Sequence, residues 1–196
     1  MSNSLPQLYV ARHGETEWTV TGQHTGTTDL PLTERGEANA RRLGERLAGH
    51  VFAKILVSPL LRARQTYDLA MLGGIAEVDR DLVEWNYGDY EGRTTSEIRA
   101  ARPDWQLFRD GCSNGESPAE VGARADRVIE RVREVDGDVI VFSSGHFSRV
   151  LAARWLGLEP GAGRYFLLST ASLSVLGYEH SLSEPVIRLW NGTQHV

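Results

Sequence analysis

Short uninterrupted apolar runs alternate along this chain with longer stretches in which small or apolar residues recur every three or four positions. Leu8 to Ala11, Lys54 to Val57 and Val139 to Phe142 are runs of the first kind, and they predict strands buried on both faces, as in a parallel sheet. Leu32 to Leu47 is of the second kind, with Gly36, Ala40, Leu43, Gly44 and Leu47 on one face and Arg and Glu on the other. That spacing predicts a helix, with Thr33 as its N-cap and Gly49 as its stop. A second helix is expected from Leu60 to about Met71, after the break at Ser58-Pro59, and a third from Ser148 to Leu156. Thr94 with Glu97 and Ser117 with Glu120 have the spacing of capping boxes, the second with Pro118 at the first helical position, so helices should begin at both. Glu77 to Glu84 reads as one or two extended pieces. Ala171 to Tyr178 and Pro185 to Trp190 read as two antiparallel strands that close the sheet's edge. The fold class is therefore α/β, a three-layer α/β/α sandwich with a mostly parallel central sheet and an antiparallel edge, in a single domain over 1–196.

Two of the buried runs end on chemistry. Leu8 to Ala11 stops at Arg12-His13-Gly14, and Val139 to Ser143 stops at Ser144-Gly145-His146. In open α/β sheets ligands bind beyond the carboxyl ends of the strands, so a guanidinium and two imidazoles delivered there point to an anion. A neutral imidazole nitrogen can attack phosphorus while a planar guanidinium grips two non-bridging oxygens, which a Lys point charge does less well. His146 can donate to phosphoryl oxygens as charge builds, and the backbone N–H of Phe147 offers another donor. Arg62 falls in the first turn of the Leu60 helix, whose free N–H groups would face the same crevice.

Arg12-His13-Gly14-Glu15-Thr16 resembles the signature of the histidine phosphatase superfamily, which includes phosphoglycerate mutases and many small phosphatases. Further blocks are similar in the same order: GQHTGTTDLPLTERG from Gly22 to Gly36, SPLLRARQT from Ser58 to Thr66, VEWNYGDYEG from Val83 to Gly92 and SSGHFSR from Ser143 to Arg149. The resemblance implies a phosphoglycerate-mutase-like fold and a metal-independent phosphomonoesterase that works through a phosphohistidine, with no cofactor. It implies His13 as nucleophile, Arg12, Arg62 and His146 around the phosphoryl oxygens, and Glu84 as the proton donor. Glu84 abuts Trp85 and Tyr87, and an acid beside aromatics is partly desolvated, the environment that suits a general acid near neutrality. Thr25 and Gly26 match the part of the second block that approaches phosphate, with His24 at the rim. Thr19 stands where the family's mutases commonly carry Asn, and its shorter hydroxyl can still donate.

The wording of the second and fourth blocks, and a length shorter than that of dedicated mutases, favour hydrolysis of small phosphorylated metabolites in the manner of the acid phosphatase and sugar-bisphosphatase branch. Phosphoglycerate mutase and a non-catalytic phosphate-binding module are the alternatives. The net charge of −5 without blocks of like charge argues against nucleic acid or an anionic membrane as partner. Cys112 is the single cysteine, which excludes an internal disulfide and a cysteine-based metal site. Met1 to Gln7 lacks a basic and apolar leader pattern, so a cytoplasmic location is expected. Homo-oligomerisation is left open.

Overall fold

The computed structural model describes residues 5–196, so the first four positions of the polar stretch Met1 to Gln7 lie outside the described residues. Six strands form one sheet: β1 (Leu8–Arg12), β2 (Lys54–Val57), β3 (Glu77–Val78), β4 (Val139–Ser143), β5 (Leu173–Tyr178) and β6 (Pro185–Gly192). Their order is β3-β2-β4-β1-β5-β6. The pairs β1/β4, β2/β4 and β2/β3 are parallel, whereas β1/β5 and β5/β6 are antiparallel.

Strand alternation divides the core into two layers. Leu8 and Val10 of β1 join Val139 and Val141 of β4 on one face. There they pack on α6 (Pro118–Arg133) and α7 (Gly145–Trp155) through residues such as Val121, Val128, Phe147 and Leu151. On the other face Ala11, Ile140 and Phe142 meet α2 (Glu34–Arg46) and α3 (Leu61–Ala70) through Leu43, Leu47, Ala63 and Ala70. The three-layer arrangement follows from burying both faces of the central strands.

Local chemistry sets many of the boundaries. Thr33 caps α2 by accepting from the Gly36 amide at 3.0 Å. Thr94 and Ser117 form reciprocal capping boxes with Glu97 and Glu120, at the starts of α4 (Thr95–Ala101) and α6. The helix after β4 starts at Gly145, three residues before the expected Ser148, because a carboxylate distant in sequence receives its first amides: Glu84 accepts from His146 N and Phe147 N. The expected extended run from Glu77 to Glu84 is also corrected. Only Glu77–Val78 is strand, and Arg80–Leu82 is a 3₁₀ turn. Its carbonyls are claimed from outside the sheet, since the Arg124 guanidinium donates to Asp81 O and Val83 O at 2.7 and 3.0 Å. Two short helices, α1 (Glu17–Thr21) and α5 (Leu107–Asp110), were not expected.

The loop after β1 is held by close backbone contact. A Cβ on Gly36 would lie 2.2 Å from the Glu15 carbonyl oxygen, so α2 can press on this loop only through a glycine. Gly36→Ala should therefore lower the unfolding free energy by about 1–3 kcal/mol in urea titration. Gly73→Ala faces open space and should change it by no more than about 0.5 kcal/mol.

Candidate active site

The carboxyl ends of β1 and β4 lie side by side, and a cleft of about 250 Å³ opens over them. His13 is buried at one wall. Its Nδ1 lies 2.7 Å from the Gly14 carbonyl oxygen. A carbonyl only accepts, so Nδ1 carries the proton and Nε2 keeps its lone pair. Burial, then the neighbouring charges of Arg62 and Arg12, holds the imidazole well below its usual pKa, outweighing the bond to Gly14. His13 is thus neutral near pH 7. The Gly14 amide donates to Thr66 Oγ1 at 3.0 Å, which ties this loop to α3.

Arg12 donates from Nη1 to the Leu168 carbonyl, while its buried Nε has no protein partner. The guanidinium lies against Gly145, where a Cβ would come within 3.1 Å of Arg12 Cζ. Arg62 is wholly buried, and its terminal nitrogens hold the preceding loop: Nη1 donates to Thr28 O, and Nη2 to Thr25 O and Gly26 O, all at 2.9–3.0 Å. Its Nε also lacks a protein partner. Glu91 clamps the same loop from the other side, accepting from Gly26 N and Thr28 N.

Glu84 lines the cleft with a carboxylate that accepts three amides. Oε1 takes Trp85 N at 2.9 Å and Phe147 N at 2.8 Å, and Oε2 takes His146 N at 3.0 Å. Its environment is therefore not set by aromatic neighbours alone, as the sequence suggests. Arg124 braces the segment, paired with Glu116 at 2.7 and 2.8 Å and reaching Glu84 O at 3.3 Å.

Several expectations need correction. The Phe147 amide is not a free phosphate donor, because Glu84 Oε1 receives it, and the Phe147 side chain is in the core. The close approach at Gly26 is toward Trp85 and Glu91, each 2.6 Å from a Cβ built there, and its amide is held by Glu91. Thr19 does border the cleft, but its hydroxyl accepts from Thr16 N and donates to Thr16 O in the capping box of α1. Thr25 also borders it, with its hydroxyl 3.3 Å from Gln23 O.

His146 stands in an aromatic wall. Its Nδ1 is 2.6 Å from the Tyr87 hydroxyl, and its ring packs against Phe108, His24 and Tyr87 at 5.4–5.9 Å. Burial pushes Tyr87 well above 10 and His146 well below 6.5, so a neutral phenol is bonded to a neutral imidazole. His24 is also in this wall, 4.7 Å from Tyr87, and burial lowers its pKa to about 4. Arg149, which the sequence reading left out, completes the rim. It lies 4.4 Å over the Phe108 ring and donates to Gly163 O and Arg164 O. Its spacing of three from His146 places both on one helical face, a signal present in the sequence. Cys112 is half-buried, and burial pushes its thiol up to about 12, which leaves it unreactive.

Among the described residues, one set of carboxylate and imidazole ligand atoms is close enough to share a metal ion: Glu179, His180 and Glu184, all exposed. They follow β5, whose register against β1 places Tyr178 beyond Leu8. That is the end of the sheet opposite the cleft.

Residues 8–193 match the model of the histidine phosphatase superfamily (branch 1). The chain is 40% identical over 186 residues to an acid phosphatase of Mycobacterium tuberculosis, covering 91% of this chain and 89% of that one. It is 40% identical over 190 residues to a sedoheptulose 1,7-bisphosphatase of Saccharomyces cerevisiae, covering 81% and 70%. The solved structure of an open reading frame from Mycobacterium tuberculosis superposes with a TM-score of 0.88 at 37% identity, covering 96% of this chain and 98% of that one.

The three depressed imidazoles of this cleft have a consequence for stability. Each titrates near 6.5 when unfolded and lower when folded, so below 6.5 the unfolded chain binds more protons. Stability present above that value should fall as pH drops toward the folded values, His24's being about 4. Urea midpoints measured from about pH 7.5 to about pH 5 should decline, and His24→Asn should make the decline shallower.

Proposed function

Because the chain belongs to branch 1 of the histidine phosphatase superfamily, we propose that its cleft hydrolyses small phosphomonoesters through a phosphohistidine formed on His13. The chain is an enzyme acting on phosphate esters. The observation that carries the proposed route is the His13 imidazole itself: buried, neutral, with its Nδ1 proton held by Gly14 O, and flanked by Arg12 and Arg62.

In the first step Nε2 attacks phosphorus in line, a P–N bond forms and the ester P–O bond breaks. The guanidinium of Arg12, which lines the cleft, and the Nε–H of Arg62 neutralise the phosphoryl oxygens, the electrostatic task that metal ions perform in other phosphatases. Glu84, in its protonated form, gives its proton to the departing alkoxide and becomes the carboxylate that the amides of Trp85, His146 and Phe147 hold. A water molecule then attacks the phosphohistidine, Glu84 takes the proton back, and orthophosphate leaves with His13 restored. The aromatic wall of Tyr87, His24 and His146, with Thr95 and Arg149 at the rim, surrounds the alcohol portion. Polar groups on an aromatic wall suit a small hydroxylated substrate such as a sugar phosphate.

Phosphate release from a panel of aryl phosphates, sugar bisphosphates and phosphoglycerates, in EDTA, tests this reading. Wild type should turn over, and His13→Ala should lose about 10³-fold or more. Loss of wild-type activity in EDTA would overturn the metal-free route. Activity confined to phosphoglycerate interconversion after bisphosphate priming would make the protein a mutase. Glu84→Gln should slow alkyl phosphates about 10²-fold more than aryl phosphates, whose leaving groups need no proton. Comparing the two substrate types within one variant cancels any general effect on folding.

A further inference from the structure

Ser144 sits at the N-cap of α7, the position where a serine hydroxyl ordinarily accepts from the second or third amide of the helix. Here it makes no such bond. Those amides, His146 N and Phe147 N, are taken by the Glu84 carboxylate, 62 and 63 residues away in sequence. The hydroxyl that Glu84 displaces is fully buried and has no protein partner. An unsatisfied buried polar group is costly, and each such group requires an explanation.

Its location supplies one. Ala11 of β1 pairs with Phe142 of β4, and both side chains belong to the same face of the sheet. Two residues farther along each strand come His13 and Ser144. The ladder continues to this point, since His13 N donates to Ser143 O at 2.9 Å, and Ser144 keeps extended dihedrals of φ −116° and ψ 172°. Alternation therefore sets Ser144 beside His13 on one face. His146, two residues on and already in the helix, turns instead toward Tyr87, His24 and Phe108. Among the described residues, the buried side-chain polar atoms without a protein partner are Arg12 Nε, Arg62 Nε, Ser144 Oγ and Ser148 Oγ. The first three come from elements that converge on His13.

We propose that the Ser144 hydroxyl is a phosphoryl-binding donor, which with Arg12 Nε and Arg62 Nε receives the oxygens of the group transferred to His13. His146 belongs to the wall around the alcohol portion. The assignment rests on the phosphatase reading above and refines it: the third phosphoryl donor is a neutral hydroxyl that the trans cap by Glu84 leaves free. It keeps one proton available without adding a cation beside His13, whose nucleophilic nitrogen is already kept unprotonated by burial and then by two guanidiniums.

The test uses inorganic orthophosphate as probe, measured by calorimetry and by the shift in melting temperature, beside aryl phosphate turnover. Ser144→Ala should lower orthophosphate affinity about tenfold, more than His146→Ala does, and lower kcat/KM by a similar factor. It should not lower the melting temperature of the phosphate-free protein, because it removes an unpartnered hydroxyl. Ser144→Thr, which retains the hydroxyl, should recover affinity relative to Ser144→Ala. A lower melting temperature for Ser144→Ala would mark the hydroxyl as structural and overturn the assignment. So would retention of orthophosphate by Ser144→Ala with its loss in His146→Ala. If wild type fails to hydrolyse any ester, the phosphatase reading falls; if it hydrolyses them and Ser144→Ala matches it, this assignment alone falls.

Discussion

The carboxylate of Glu84 joins two segments of this molecule that lie some sixty residues apart in sequence. It receives the amides of Trp85, His146 and Phe147, and so welds the 3₁₀ segment after β3 to the first turn of α7. A negative charge at a helix N-terminus is favourable both for its hydrogen bonds and for the helix dipole. The consequence is positional. α7 begins directly after β4, its first residue, Gly145, lies against the Arg12 guanidinium where a Cβ would come as close as 3.1 Å, and the carboxylate is presented to the cleft from a fixed place. Arg124 supports the arrangement by holding the carbonyls of Asp81, Val83 and Glu84 while paired with Glu116.

Around this anchor the site keeps cations and imidazoles out of water. Burying Arg12, Arg62 and His13 together is unfavourable, and the imidazole yields by staying neutral. The arginines remain cations because their donors find carbonyls: Leu168 for Arg12, and Thr25, Gly26 and Thr28 for Arg62. Arg62 thereby has two tasks. It folds the 25–28 loop against Glu91, and it leaves one donor over. A preorganised set of leftover donors is what a developing phosphoryl charge can use, since nothing has to be reoriented when the reaction occurs.

The cleft has two dissimilar sides. Toward β1 and α3 it is cationic, with Arg12 and Arg62 beside His13. Toward α7 and the 84–95 segment it is aromatic and neutral, with Tyr87, His24 and His146 bonded or packed to one another. Trp105, buried behind His24 at 5.8 Å and over Tyr90 at 5.2 Å, supports that wall from the core rather than lining it. The division matches a ligand with a compact charged end and a neutral hydroxylated end.

Much of this was legible in the chain itself, because it depends on neighbours close in sequence. The runs Leu8 to Ala11 and Val139 to Phe142 identify strands buried on both faces. Thr33, Thr94 and Ser117 cap their helices through bonds three residues long. The motif following β1 points to an anion whatever the rest of the chain does. What tertiary structure alone decided is which polar group each of those residues would meet. Glu84 captured the amides that Ser144 would otherwise cap, Phe147 lost its free N–H to the same carboxylate, and Gly26 was drawn toward Glu91. Asp79 capped a 3₁₀ segment where a strand was expected, and Arg124 took its Asp81 carbonyl. Local patterns determine elements because their energies arise within a few residues. The partners of buried polar groups are settled between segments dozens of residues apart, and no periodicity in the sequence records them.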